Sequence, residues 1–170
     1  VDANSMKMIG KYDLASKGGG CAGLALDIKN NILFAACRDK NNMIILSATD
    51  GHIITDLPIG VGCDGATFNP ATMEAFSSQG DGTLTVIKEN SPTSFVVEQT
   101  VATPVRAKTL TLDPKTGKIF LITAEFSPPP PAEPSAATAG AATPPAGGRP
   151  GGRGRAPMVP GSFSIIEVGK

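Results

Sequence analysis

A chain of 170 residues in which 15 basic side chains balance 15 acidic ones is long enough for one domain with a core. It carries no overall field that would draw it to nucleic acid or an anionic membrane. With 41% hydrophobic residues and no apolar run near the ~18–20 residues that span a bilayer, the composition excludes wholesale disorder and a transmembrane helix.

Twenty glycines, 15 prolines, no tryptophan and uniformly short apolar runs favour an all-β chain with many turns. The opening stretch VDANSMKMIGKYDL (1–14) aligns with LSATDGHIITDL further on. It reads as the end of a third strand, a turn and a fourth strand, the tail of a preceding sheet unit. It shows no charged-then-apolar leader pattern. Then GLALDIKNNILFAA (23–36), GATFNPATMEAFSS (65–78) and KTLTLDPKTGKIFLI (108–122) fall into register as three hairpins. Their turns open on Asp27, Asn69 and Asp113, 42 residues apart from 27 to 69 and 44 from 69 to 113, and Phe34, Phe76 and Phe120 each follow seven residues later. A period in the forties is the spacing of β-propeller blades.

Each hairpin is followed by third- and fourth-strand material: MIILSATDGHIITDLPIG (43–60), LTVIKENSPTSFVVEQTVATP (84–104) and the shorter FSIIEVGK (163–170). Asp50-Gly51 and Ser91-Pro92 supply the turns. Four short antiparallel strands make one blade. Both faces of a blade are covered by its neighbours, which is why consecutive residues such as Ile44 and Ile45 are both apolar. The expected units are 15–60, 61–104 and 105–170, about three four-stranded blades. The last lacks its outer strand, so the chain reads as the C-terminal part of a longer ring. Exposed blade edges and faces predict a protein partner, or self-association, that completes the ring.

LFAACRDKNNMIIL and AFSSQGDGTLTVI resemble the strand–loop–strand signature of the YVTN-type, YncE-like β-propellers. In place of the Tyr-Val-Thr-Asn element stand Phe34-Ala35-Ala36-Cys37, Phe76-Ser77-Ser78-Gln79 and Phe120-Leu121-Ile122-Thr123. The resemblance covers nearly the whole chain outside one insertion. It implies a parent ring of usually seven blades and a secreted or periplasmic location. It implies no particular activity, because propellers carry lactonases, dehydrogenase subunits and binding scaffolds on one frame.

The insertion, SPPPPAEPSAATAGAATPPAGGRPGGRGRAPMVPGS (127–162), cannot bury a core and reads as a long loop, its proline runs extended. Arg149, Arg153 and Arg155 lack the interleaved aromatics of a nucleic-acid-binding segment, so nucleic acid is disfavoured as a partner.

Chemistry-bearing residues are few. Cys21 and Cys63 hold equivalent places before the first strands of successive blades, and Cys37 ends a second strand. All three are disulfide candidates near one mouth of the central channel; a Cys21–Cys63 or Cys37–Cys63 bond would suit a secreted protein, and the other readings are buried free thiols and a metal-binding or reactive thiol. The lone His52 sits at the start of an outer strand and makes no zinc site with them. The loops joining second to third and fourth to first strands share one propeller face. On it are expected Arg38, Asp39, Cys63, Asp64, Gln79, Asp81, Arg106 and Glu125, with Asp64 foremost. No nucleophile elbow, phosphate loop or Cys-x-x-Cys pair is present. The leading expectation is a non-catalytic scaffold that binds a protein, peptide or small polar ligand on this face. It needs no cofactor and uses no catalytic residue. The alternative is a hydrolase, lactonase-like or metal-dependent, whose channel-mouth carboxylates would take a divalent cation.

Overall fold

The computed structural model describes residues 2, 4–14, 17–128 and 156–169. Two compact units are formed, one from 1–123 with 164–170 and the other from 124–163. Among the described residues there is no α-helix, and none long and apolar enough to cross a membrane.

The first unit holds three antiparallel sheets, each a simple meander. The first sheet is β1 (Cys21–Asp27), β2 (Ile32–Cys37), β3 (Asn42–Ser47) and β4 (Ile53–Pro58), ordered as they are numbered. The second repeats it with β5 (Cys63–Asn69), β6 (Glu74–Gln79), β7 (Thr83–Ser91) and β8 (Ser94–Ala102). The third contains β9 (Leu110–Leu112), β10 (Ile119–Thr123) and β11 (Ser164–Val168), with β10 in the middle. These are the blades of a β-propeller, two four-stranded and one three-stranded.

The first-to-second-strand turns show why Asp or Asn opens each one. Asp27 accepts the N–H groups of Lys29 and Asn30 at 2.9 and 3.2 Å, Asn69 that of Ala71 at 3.0 Å, and Asp113 that of Lys115 at 3.0 Å. Each side chain thus closes its own turn. The residue four positions on is left-handed every time: Asn31 (φ 55°), Met73 (φ 55°) and Gly117 (φ 74°). Only Gly117 takes that conformation without crowding from a Cβ.

Burial alternates along β1, where Gly23, Ala25 and Asp27 point inward and Leu24 and Leu26 outward, but β3 is buried on both faces. Met43 and Ile45 join a cluster with Phe34 on one side and with Phe68, Ala75, Ile87 and Phe95 of the second sheet on the other. Ile44 and Leu46 join the opposite cluster, with Leu14, Leu33 and Ile53. Phe34 is fully buried, stacked on Phe68 at 5.3 Å between ring centres and edge-on to Phe95 at 5.9 Å. Burying a ring of this size is worth about 1.5–3 kcal/mol, with ~1 kcal/mol more from the paired rings. Phe76, at the same station of the next sheet, meets Ile119 and Leu121 of the third. The second sheet is therefore covered on both sides, as stacked blades require.

The N-terminal stretch departs from expectation. Residues 4–14 form no strand, and Met6, Met8 and Ile9 are exposed. Apolar spacing resembling a fourth strand gives a strand only where a neighbour offers its ladder of backbone groups, and none does so here among the described residues. Instead the ring of Tyr12 lies over Gly51, whose φ of 77° makes the β3–β4 turn, and its hydroxyl reaches the carbonyl of Ala48 at 3.3 Å.

In the second unit, an isolated antiparallel bridge joins Phe126 to Met158, flanked by the Ser127 N–H to Pro157 carbonyl bond and the Val159 N–H to Glu125 carbonyl bond, both 2.9 Å. Arg149, Arg153 and Arg155 lie outside the described residues.

Candidate functional site

The loops that precede each first strand and follow each second strand are tied together by backbone bonds. Arg38 and Asp39 donate to the carbonyls of Gly20 and Gly19 at 3.4 and 3.1 Å. Gly80 and Asp81 donate to Gly62 and Val61 at 3.0 and 3.2 Å, and Arg106 donates to Gly80 at 3.0 Å. The sequence expectation of one shared face thus has a concrete geometry in the stretches 17–20, 38–41, 59–62, 80–82 and 103–109.

Across this face runs a chain of charge. Arg38, at the end of β2, donates its Nε to the Cys63 carbonyl at 2.7 Å and its Nη2 to Asp64 at 2.6 Å. Lys108 reaches the same Asp64 oxygen at 3.5 Å from the third sheet. One carboxylate therefore holds two cations, and the three residues come from three successive blades. All are partly exposed, so each pair is worth about 0.2–1 kcal/mol and weakens with salt. Lys108 was not among the expected residues. It occupies the repeat position of Asp64, 44 residues on as Asp113 is from Asn69, and that register was the signal that could have found it.

The other expected residues divide. Asp39 lies over the Gly19–Gly20 backbone, where any side chain would collide with its carboxylate. Asp81 is a turn-former: one oxygen accepts the Val61 N–H at 2.6 Å and the other the N–H and hydroxyl of Thr83 at 3.1 and 2.7 Å. Arg106 is left-handed, φ 67°. Gln79 is fully buried and turned into the sheet stack, its Oε1 accepting from the hydroxyls of Thr83 and Thr85 at 3.1 and 3.3 Å. It is a packing residue, because the end of β6 is covered from both sides. Glu125 belongs to the second unit, where its N–H is donated to Ser162 Oγ at 3.0 Å.

The cysteines pair within one blade. Cys21 is bonded to Cys37, and Cys63 is free and buried. Neither expected Cys63 pairing occurs. Cys21 and Cys37 face each other across the β1–β2 ladder, at a bulge, whereas Cys63 starts the next sheet. Burial pushes the Cys63 thiol up, against the weaker pull of the Arg38 charge, which leaves it a poor nucleophile. Among the described residues no three His, Cys, Asp or Glu side chains converge as metal ligands. His52 is exposed and bonded to Asp50 at 2.8 Å, on the outer strand turn.

A recess of about 470 Å³ opens between the second and third sheets, floored by Phe76, Val101 and Ile119 and bordered by Glu74 and Glu98. Nothing in the sequence marked it, since its walls come from two blades.

No family model and no curated protein matches the sequence. Solved structures do match in fold. Hydrazine synthase of Kuenenia stuttgartiensis superposes with a TM-score of 0.52 at 12% identity, over 60% of this chain and 29% of that one. A chain of the mitotic checkpoint complex gives 0.52 at 16% identity, over 58% and 32%. The β-propeller domain of Cps50 (Swd1) from Myceliophteria thermophila gives 0.51 at 13% identity, over 62% and 37%. The chain spans about a third of the length of these chains. At such identities the likeness is one of fold, and the fold is the β-propeller.

Proposed function

We propose that this chain is part of an exported, non-catalytic propeller scaffold of the YVTN type that presents the loop face around Arg38, Asp64 and Lys108 to a protein or peptide. The observation that carries this reading is the Arg38–Asp64–Lys108 chain itself. It fixes a polar surface across three blades and commits Asp64 to two cations, whereas a general base or metal ligand needs an available carboxylate. Asp81, the next carboxylate along, is likewise committed to its own turn. The Cys21–Cys37 disulfide supports an oxidising compartment, periplasmic or extracellular. The repeat period and the Phe34, Phe76 and Phe120 stations support the YVTN-type assignment. The scaffold needs no cofactor, and its partner is a protein chain, a further copy of this one included.

The test pairs Arg38→Glu with Lys108→Glu. Immobilised wild type should retain a protein from a periplasmic or secreted extract that the double variant does not, with identical circular dichroism for the two. Light scattering on the purified chain distinguishes self-association from capture of a different protein. Turnover of a panel of lactones and esters, lost in Asp64→Asn, would replace this reading with the hydrolase.

A further inference from the structure

We propose that Glu89, buried close to Asp27 at the interface between the first two blades, carries a proton there, making a pH-sensitive latch that holds those blades together. This latch is remote from the loop face and independent of the scaffold reading.

Glu89 lies near the end of β7 on the face that carries Ile87 into the inter-sheet cluster, and it is 3% exposed; Asp27, ending β1, is 1% exposed. Two carboxyl groups that both accept from Asn30, Asp27 from its backbone N–H and Glu89 from its side-chain Nδ2, are thus removed from water together. Both oxygens of Asp27 are already occupied as acceptors by the Lys29 and Asn30 N–H groups. On Glu89, Oε1 accepts from the Asn30 side-chain Nδ2 at 2.7 Å, and Oε2 is buried with no donor. A buried acceptor without a donor costs about 1–3 kcal/mol, more when charged. A proton on Glu89 Oε2, donated to Asp27, removes that cost and the repulsion between like charges at once.

The charged groups facing Glu89 are Asp27 and Lys29, both from the first sheet's turn. Burial is the largest influence on Glu89 and raises its proton affinity, Asp27 raises it further, and the Asn30 bond and Lys29 oppose it more weakly. The sign follows. In the folded chain Glu89 keeps a proton that the unfolded chain has released, so this contribution is full at pH below the ordinary glutamate value. It is lost as pH rises through the raised folded value. This runs opposite to the usual acid sensitivity of carboxylates.

The test is side-chain carboxyl 13C NMR on the full chain with labelled Asp and Glu, titrated from about pH 4 to about pH 8, beside urea unfolding over the same range. One glutamate resonance should titrate above the ordinary glutamate value and vanish in Glu89→Gln. That variant supplies a neutral isostere whose amide can donate to Asp27. It should unfold at higher urea than wild type at neutral pH, and its midpoint should not fall with pH as the wild-type midpoint does. Asp27→Asn is the second variant, tolerable because Asn69 already fills that turn position in the next repeat. It should lower the Glu89 titration without returning it to the ordinary range, because burial remains. All glutamates titrating in the ordinary range would overturn the proposal. So would a rise in the wild-type midpoint on adding calcium chloride, absent in Glu89→Gln, because a bridging cation would then stand in place of the proton.

Discussion

A methyl group added at Gly23 tests whether neighbouring blades converge on a common axis. Gly23 lies in β1, and a Cβ there would sit 2.6 Å from Ala66 N, 2.6 Å from Gly65 C and 2.9 Å from Gly65 O, all backbone atoms of β5. Comfortable contact begins near 3.4 Å, so the two inner strands would have to part by roughly 1 Å, enough to forfeit a quarter to a half of each van der Waals contact they share. That strand pair anchors the interface in which Phe34 stacks on Phe68. An unhindered Gly→Ala change within a strand should stabilise by about 0.5–1 kcal/mol. Overpacking against an immovable backbone reverses the sign, and Gly23→Ala should cost about 3 kcal/mol, the upper end of the usual range. Gly65 supplies the internal comparison. Its Cβ would meet the Thr109 hydroxyl and the Leu110 Cδ2, side-chain ends that can rotate away, so Gly65→Ala should cost nearer ~1 kcal/mol. Urea unfolding followed by circular dichroism, with unchanged denaturant sensitivity, gives both values. If Gly23→Ala lies within about 0.5 kcal/mol of wild type, or Gly65→Ala proves the costlier, the close approach of β1 to β5 is wrong.

Three further outcomes follow from local chemistry. The Cys21–Cys37 bond closes a 16-residue separation, so reduction, or the Cys21→Ala/Cys37→Ala pair, should lower stability by about 3 kcal/mol in urea. Cys63 should meanwhile stay unreactive to a thiol reagent until the chain unfolds; a reactive native thiol would contradict its burial. Asp50 is held at about 2 by the Ser47 hydroxyl first and by His52 second. Because its folded value is depressed, the stability it contributes is present above the ordinary aspartate value and is lost as pH falls through about 2. Ser47→Ala and His52→Ala should each raise the Asp50 carboxyl, followed by 13C NMR, and an unmoved carboxyl in both would refute this assignment.

The repeat was legible because it is written locally. Asp27, Asn69 and Asp113 close their own turns through side-chain bonds to amides two residues on, and such chemistry depends on nothing distant. The doubled apolar pairs of β3 likewise announced a sheet covered on both faces, which only stacked blades provide. From these the all-β propeller architecture follows. What the sequence could not decide is anything set by which atoms meet between strands or blades. Cys63 was an equal candidate for a disulfide until the β1–β2 register put Cys21 opposite Cys37. Residues 4–14 carried the spacing of a strand, yet pairing depends on a neighbouring edge. Gln79 looked like a mouth residue and is buried, Asp64 looked available and is held by Arg38 and by an unforeseen Lys108, and Glu89 drew no notice until burial set it against Asp27. Turn chemistry and hydrophobic period act within a few residues of chain, whereas desolvation and charge pairing act through space, and only the folded chain brings those partners together.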